Sequence, residues 1–226
     1  MMKFLNKDIK LAIFDLDGTL IDSTGIWQEI DNHFFEKRNM KVPEDYAKKI
    51  AHIGLEECAK FTKYEYGIKE SEKEIIEEWI NESKEMYFNT IPLKSDVLEL
   101  LDLLKKNNVH IALATANSQE IYEKCLIRLG IINYFEFVGD VNKVKEGKNS
   151  PKLYNTIANF FNVLPSSTLV FEDIAIGLKT AFKNDFISVG VYDEQSINQE
   201  QEKREYSYYY VESYKELIKD LIKENN

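Results

Sequence analysis

Short apolar runs recur along this chain, and each has the length and composition of a buried strand. The first covers residues 10–14 (Lys-Leu-Ala-Ile-Phe), similar runs cover 110–115, 168–171 and 186–191, and a weaker one covers 135–138. Strands that are apolar throughout, without alternation, are typical of parallel sheets covered on both faces. The chain is therefore predicted to build its core around a parallel sheet.

Helical patterns separate these runs. Apolar residues at helical spacing predict helices at 97–104, 174–182 and 213–222. Strands that alternate with helices imply crossover connections and a doubly wound, Rossmann-like α/β sheet. The tyrosine-rich segment 206–210 is interpreted as an edge strand.

Two sequence signals mark helix starts. Asn117 followed by Glu120 resembles a capping box, so a helix is predicted to begin directly after the 110–115 strand. Ser150 followed by Pro151 predicts an N-cap and a first-turn proline for the next helix.

Residues 22–91 break this alternation. We find no convincing strand in this block of about 70 residues, where apolar side chains repeat at helical spacing, and the block is too long for a loop. We therefore expect a helical cap domain of residues 21–91 over the carboxyl edge of the sheet. The Rossmann-like core would then comprise residues 1–20 and 92–226.

The formal net charge of −10 narrows the range of partners. An acidic surface repels nucleic-acid phosphates at long range, so nucleic acid is not expected as a partner. The N-terminus lacks the apolar segment of a signal peptide, and no apolar run approaches the roughly 20 residues of a membrane helix. Cys58 and Cys125 show no metal or redox spacing. We expect a cytoplasmic protein with reduced thiols and no membrane partner, as a monomer or weak homodimer.

Polar side chains follow the predicted strands, at the edge where doubly wound sheets bind ligands. They are Asp15 and Asp17 after the first strand, Thr115, Ala116 and Asn117 after the second, Lys148 before the Pro151 helix, and Glu172 and Asp173 after the 168–171 strand.

Four of these residues are acidic: Asp15, Asp17, Glu172 and Asp173. Like charges a few ångströms apart cannot all stay ionised without a cation. Mg²⁺ fits best, because it accepts one or two carboxylates and leaves positions for water and phosphate. Each pair also has an ordinary structural explanation, a turn for the first two and a helix N-cap for the last two.

The remaining residues suit phosphate. Thr115 offers a hydroxyl, Lys148 a compact positive charge, and the backbone N–H groups of Ala116 and Asn117 would open a helix. Lys148 shares its loop with Lys143 and Lys145, and any of the three could be solvated surface. Lys145 is the alternative if the register slips. Carboxylates, metal, hydroxyl and lysine together indicate phosphoryl transfer.

The sequence resembles the haloacid dehalogenase-like hydrolases, specifically the branch with a helical cap that includes beta-phosphoglucomutase and phosphoglycolate phosphatase. Residues 15–20 (Asp-Leu-Asp-Gly-Thr-Leu) are identical to the first motif of that family, and Thr115 matches the second. Residues 147–151 and 170–173 are similar to the third and fourth motifs, with Asn149 in place of a proline.

The resemblance implies a role for each matching residue. Asp15 would attack phosphorus, and Asp17 would act as general acid and then general base. Mg²⁺ would be bound by Asp15, the Asp17 carbonyl and Asp173, with Glu172 acting directly or through water. Thr115 and Lys148 would hold the phosphoryl oxygens. The implied activity is Mg²⁺-dependent hydrolysis of small phosphorylated metabolites, of the sugar phosphate or phosphoglycolate class.

Two alternatives stay open: a sugar-phosphate isomerase of the phosphoglucomutase type, and a non-catalytic phosphate-binding relative. The mutases of this branch typically place a histidine in the first cap helix, where this chain has Trp27, so hydrolysis is favoured. Trp27 could pack within the cap or stack on substrate, and His52 could be a surface residue or face the substrate.

Overall fold

The computed structural model describes residues 2–23, 25–50 and 55–225. The chain divides into two compact units. The core unit comprises Met1–Thr24 and Ile91–Asn226, and the helical unit comprises Gly25–Thr90.

The core unit contains eight described strands. They are β1 Met2–Phe4, β2 Lys7–Ile9, β3 Leu11–Phe14, β4 His110–Thr115, β5 Phe137–Asp140, β6 Thr168–Glu172, β7 Ile187–Val191 and β8 Tyr209–Val211. Six of them form a parallel sheet with the strand order β5-β4-β3-β6-β7-β8. A separate antiparallel hairpin joins β1 to β2. From β3 the chain passes to β4 and β5 on one side, and then to β6, β7 and β8 on the other. The strand order therefore reverses between β3 and β6.

Helices connect these strands and form the second unit. In the helical unit they are α1 Ile26–Glu36, α2 Tyr46–Ile50, α3 Leu55–Tyr66 and α4 Glu72–Asn89. In the core unit they are α5 Val97–Lys106, α6 Gln119–Arg128, α7 Val141–Val144, α8 Lys152–Phe160, α9 Ala175–Lys183, α10 Glu200–Glu205 and α11 Tyr214–Asn225.

Alternate residues of the central strands face opposite sides of the sheet. Ile13 and Val170 lie in one buried cluster with Leu153 of α8. On the neighbouring positions of β3 and β6, the rings of Phe14 and Phe171 stack with centroids 4.2 Å apart. Since every residue of β3 is buried, the sheet is covered on both faces, as the unbroken apolar runs predict.

The helical unit has its own small core. Phe34 of α1 packs on Trp79 of α4, with ring centroids 5.4 Å apart. Arg38 Nη2 lies 2.7 Å from Glu78 Oε2, and a capping box between Ser71 and Glu74 starts α4. The interior of this unit is therefore made by contacts between its own helices.

The expected fold class is confirmed, since a doubly wound parallel sheet is flanked by helices. An edge strand is present as β8, but it overlaps only the end of the predicted segment 206–210, because β8 covers Tyr209–Val211. The strand predicted at 135–138 starts two residues too early, because β5 covers Phe137–Asp140. The β1–β2 hairpin has no counterpart among the predicted strands. No helix in the described ranges is long and apolar enough to cross a membrane.

Both predicted helix starts are wrong in detail. Helix α6 has Ser118 at its N-cap, and the Asn117 side chain bonds elsewhere, so there is no Asn117–Glu120 capping box. Helix α8 has Pro151 at its N-cap position, one residue later than predicted. Ser150 still contributes, since its Oγ accepts the Lys152 N–H at 3.3 Å.

Candidate active site

Asp15 and Lys148 form the centre of a buried cluster at the carboxyl edge of the sheet. Asp15 directly follows β3, and its N–H donates to Phe171 O of β6 at 3.0 Å, which continues the pairing of the two strands. Lys148 comes from the loop before α8 and places its Nζ 2.5 Å from Asp15 Oδ1 and 3.0 Å from Glu172 Oε1. One ammonium therefore joins carboxylates from the ends of β3 and β6.

Three carboxylates meet at this point. Asp15, Glu172 and Asp173 are buried, and each has an oxygen within 4.8 Å of the others. Burial raises the pKa of Glu172, opposed by Lys148, and burial together with the neighbouring Asp15 and Glu172 charges raises the pKa of Asp173. These groups resist ionisation together, so the donor set fits a hard divalent cation that would compensate their charge.

Two glycines leave room for these carboxylates. A Cβ on Gly177 of α9 would lie 2.7 Å from the Glu172 carboxyl carbon. A Cβ on Gly18 would lie 2.7 Å from the Asp173 carboxyl carbon, and Gly18 also has a φ of +66° that favours glycine. The close approach of backbone to carboxylate explains why glycine occupies both positions.

Asp17 lies outside this group of three carboxylates. Its Oδ2 accepts a hydrogen bond from Asn117 Nδ2 at 2.5 Å, which connects the segments that follow β3 and β4. The expectation of four clustered carboxylates is corrected to three within the described residues, because the Asp17 carboxylate is directed to Asn117.

The residues at the end of β4 do not form the phosphate-binding helix start that the sequence predicts. Thr115 is buried, and its Oγ1 accepts the Asn117 N–H at 3.0 Å. Ala116 is exposed directly after the strand. Because helix α6 begins at Gln119, the N–H groups of Ala116 and Asn117 precede the helix and do not open it.

Lys148 is the lysine of its loop that meets the carboxylates. Lys145 is exposed and has a φ of +58°. Lys143 Nζ donates to Gln119 Oε1 at 3.1 Å. The alternative assignment of the site lysine to Lys145 is therefore not supported by the geometry.

Several contacts to the site have no local sequence signal. Tyr154 of α8 donates to Glu172 Oε1 at 2.7 Å. Ser23 accepts the Gly18 N–H at 3.2 Å, and Ser196 donates to the Asp173 carbonyl at 2.7 Å. The burial of these side chains is a property of the fold, so the sequence contains no signal for them. His52 lies outside the described residues.

Comparison with known proteins agrees with this geometry. The model of the haloacid dehalogenase-like hydrolases matches residues 12–191. A phosphorylated carbohydrates phosphatase of Thermotoga maritima is 27% identical over 173 residues, which cover 76% of this chain and 80% of the relative. A validoxylamine A 7'-phosphate phosphatase of Streptomyces hygroscopicus subspecies limoneus is 27% identical over 187 residues, covering 80% and 85%.

A solved structure from Thermotoga maritima, described as a candidate beta-phosphoglucomutase, superposes with a TM-score of 0.81 and 26% identity. It covers 90% of this chain and 94% of its own. The relatives named as phosphatases confirm the expected enzyme class, phosphoric monoester hydrolase. Since the family model spans most of the sequence, the chain belongs to the haloacid dehalogenase-like hydrolase family.

Proposed function

We propose that this protein is a Mg²⁺-dependent phosphatase of small phosphorylated metabolites, of the sugar phosphate or phosphoglycolate class, that works through an aspartyl-phosphate. The observation that carries the proposal is Lys148 placed against Asp15, beside the carboxylates of Glu172 and Asp173. A nucleophile, a cation to neutralise charge and a set of metal-binding oxygens lie within one buried cluster.

Asp15 is the nucleophile. One of its carboxylate oxygens attacks phosphorus, a new O–P bond forms, and the bond from phosphorus to the substrate oxygen breaks. The contact with Lys148 orients the Asp15 carboxylate in a buried site, where it has little solvent to displace before attack.

Asp17 is the general acid and base. It gives a proton to the leaving oxygen, and the resulting carboxylate then takes a proton from the water that attacks the phosphorylated Asp15. That second attack breaks the bond from Asp15 to phosphorus and releases phosphate. The Asn117 amide holds Asp17 Oδ2 at 2.5 Å, which fits a group that must stay in place through both transfers.

Asp15, Asp173, the Asp17 carbonyl and Glu172, directly or through water, would hold Mg²⁺. When bound, the ion supplies positive charge against the oxygens of the transferring group. Lys148 and the Thr115 hydroxyl would bind the same phosphoryl oxygens, with Ala116 and Asn117 at the start of the adjoining loop. The raised pKa values of Glu172 and Asp173 support a cation here, because the single ammonium of Lys148 faces three buried carboxylates.

The experiment is phosphate release from a panel of phosphorylated metabolites and from para-nitrophenyl phosphate, with Mg²⁺ and with EDTA. Wild type is compared with Asp15→Asn and with Asp102→Asn, the same substitution at an exposed position of α5. We expect Mg²⁺-dependent release in wild type and Asp102→Asn, and loss in Asp15→Asn. Full activity in Asp15→Asn would overturn the mechanism.

Mutase activity is a second candidate, because the superposed Thermotoga maritima structure carries that description. Trp27, at the position where a mutase histidine is expected, is half exposed on α1. Hexose 1-phosphates are therefore included in the panel. Conversion to a hexose 6-phosphate without free phosphate would replace the phosphatase proposal with the mutase.

A further inference from the structure

A chain of two hydrogen bonds leads from a buried lysine to the backbone of Asp173. The Asp173 carbonyl accepts from Ser196 Oγ at 2.7 Å, and Ser196 Oγ accepts from Lys203 Nζ at 2.7 Å. Ser196 lies in the loop after β7 with 3% of its surface exposed, and Lys203 of α10 is 0% exposed. Both residues are distant from Asp173 in sequence.

The direction of these bonds follows from the groups involved. An ammonium can only donate, so Ser196 must accept from Lys203 and give its single hydrogen to a carbonyl. Two carbonyls lie within reach, Asp173 O at 2.7 Å and Asp193 O at 3.3 Å. The shorter contact to Asp173 is favoured, and donation from a charged group strengthens it.

The segment that contains Ser196 and Lys203 also contacts the residues that follow Asp173. Gln199 Oε1 accepts the N–H of Ala175, the first residue of α9, at 3.0 Å. That N–H has no partner within its own helix, so the contact caps α9. Residues 193–203 therefore contact the turn at 173–175 through both a donor and an acceptor.

Burial of Lys203 carries a desolvation penalty, because its ammonium is removed from water. Among the described residues we find no ion-pair partner for it, and its ammonium lies 5.7 Å from the centre of the Tyr210 ring. Burial lowers the pKa of Lys203, as expected for an ammonium removed from water. The negative charges of Asp173 and Asp193 partly oppose this effect. The hydrogen bond of this buried ammonium goes to the Ser196 hydroxyl and fixes its orientation.

We propose that Ser196 and Lys203 are positioning residues for Asp173 and so set the affinity of the site for a divalent cation. They hold the Asp173 peptide in the orientation that directs its carboxylate towards Asp15 and Glu172. This inference rests on the proposed metal site, and no substrate contact is assigned to either residue.

The test measures Mn²⁺ binding by electron paramagnetic resonance in the full chain, with activity recorded in parallel. The variants are Ser196→Ala and Lys203→Met, with Ser188→Ala as a matched control. Ser188 is a buried serine of β7 whose Oγ donates to the Tyr206 carbonyl at 2.7 Å, outside the metal cluster. Its loss removes the same kind of hydrogen bond without touching Asp173.

We expect the Mn²⁺ dissociation constant to rise about 10-fold in Ser196→Ala, as for other residues that orient a metal ligand, and to rise also in Lys203→Met. Ser188→Ala should bind as wild type does, and Ser196→Thr, which keeps the hydroxyl, should retain most of the affinity. If either Ser196→Ala or Lys203→Met fails to fold, the Mn²⁺ affinity of the other variant tests the proposal.

If folded Ser196→Ala or Lys203→Met binds Mn²⁺ with wild-type affinity, the positioning role is overturned. Equal weakening of Mn²⁺ binding in Ser188→Ala overturns it as well. The phosphatase proposal stands in either case. Absence of Mn²⁺ binding in the wild type itself would instead contradict the proposed metal site, and the positioning role would fall with it.

Discussion

Lys148 Nζ lies 2.5 Å from Asp15 Oδ1 and 3.0 Å from Glu172 Oε1, so a single ammonium serves two buried carboxylates. Burial opposes the charge on Lys148, but the nearby Asp15 and Glu172 outweigh it and raise the pKa of the ammonium. Lys148 therefore stays protonated at neutral pH, and removing it would leave two buried carboxylates without their partner.

Replacing Lys148 by methionine should lower kcat by about 10²–10³-fold. The substitution removes both the positive charge that faces the transferring phosphoryl group and the contact that orients Asp15. Phosphate release at saturating Mg²⁺ measures the effect. Lys145→Met, in the same loop but exposed, is the control and should keep wild-type activity. An inactive Lys145→Met beside an active Lys148→Met would reverse the assignment of the loop lysine.

Replacing Asn117 by alanine should lower kcat by about 10-fold with a smaller change in KM, since it frees Asp17 from one hydrogen bond while leaving the phosphate contacts. Steady-state kinetics on para-nitrophenyl phosphate separate the two constants. Ser118→Ala removes a neighbouring exposed side chain that makes no capping hydrogen bond, and should be silent. A change confined to KM would argue that Asn117 binds substrate instead of orienting Asp17.

Substituting alanine for Gly177 should weaken metal binding, because the new Cβ would displace the Glu172 carboxyl, whose carbon lies 2.7 Å away. We expect a higher Mg²⁺ concentration for half-maximal activity. Gly139→Ala is the control, since its Cβ would meet Ile157 Cδ1 at 2.7 Å in the apolar core. That variant should lose stability with an unchanged Mg²⁺ requirement, and a shared loss of Mg²⁺ affinity would count against a specific effect at Glu172.

Asp31 of α1 should make the protein less stable as the pH rises. Burial raises the pKa of Asp31 from its ordinary 3.8 to about 7, so the folded state binds more protons than the unfolded state between these values. The free energy of unfolding then falls as the pH increases from about 4 to 7.

Asp31→Asn should remove this component and stabilise the protein by about 4 kcal/mol at pH 8, with little effect at pH 4. Urea unfolding of both proteins at the two pH values gives the comparison. Tyr46 and Cys58, which interact electrostatically with Asp31, stay neutral over this range because burial raises their pKa values as well. An equal gain at both pH values would rule out titration of Asp31 as the cause.

The parallel sheet could be predicted because its central strands are apolar without interruption. The β1–β2 hairpin could not, since its turn places Leu5 and Asn6 at φ values of +52° and +60°. Leucine at such a φ carries no turn signal, and each strand has three residues. The pairing is imposed by the surrounding fold and not by local preference.

At the site, residue types at strand ends indicated which side chains could meet, but not how they would pair. Asn117 has the sequence pattern of a helix cap, yet its amide is used by Asp17, 100 positions away. The partners of Tyr154 and Ser196 likewise come from other elements of the fold. Such pairings depend on tertiary structure, which local spacing does not contain.

The two connections between the units run side by side within the core. Asp22 N–H donates to Pro92 O and Lys94 N–H donates to Leu20 O, each at 2.9 Å, around an antiparallel bridge between Ile21 and Leu93. The ends of the inserted segment are thus held one strand spacing apart by the core itself. Because the entropy of closing a loop grows only with the logarithm of its length, the inserted segment can grow, shrink or be exchanged during evolution at little cost to the sheet.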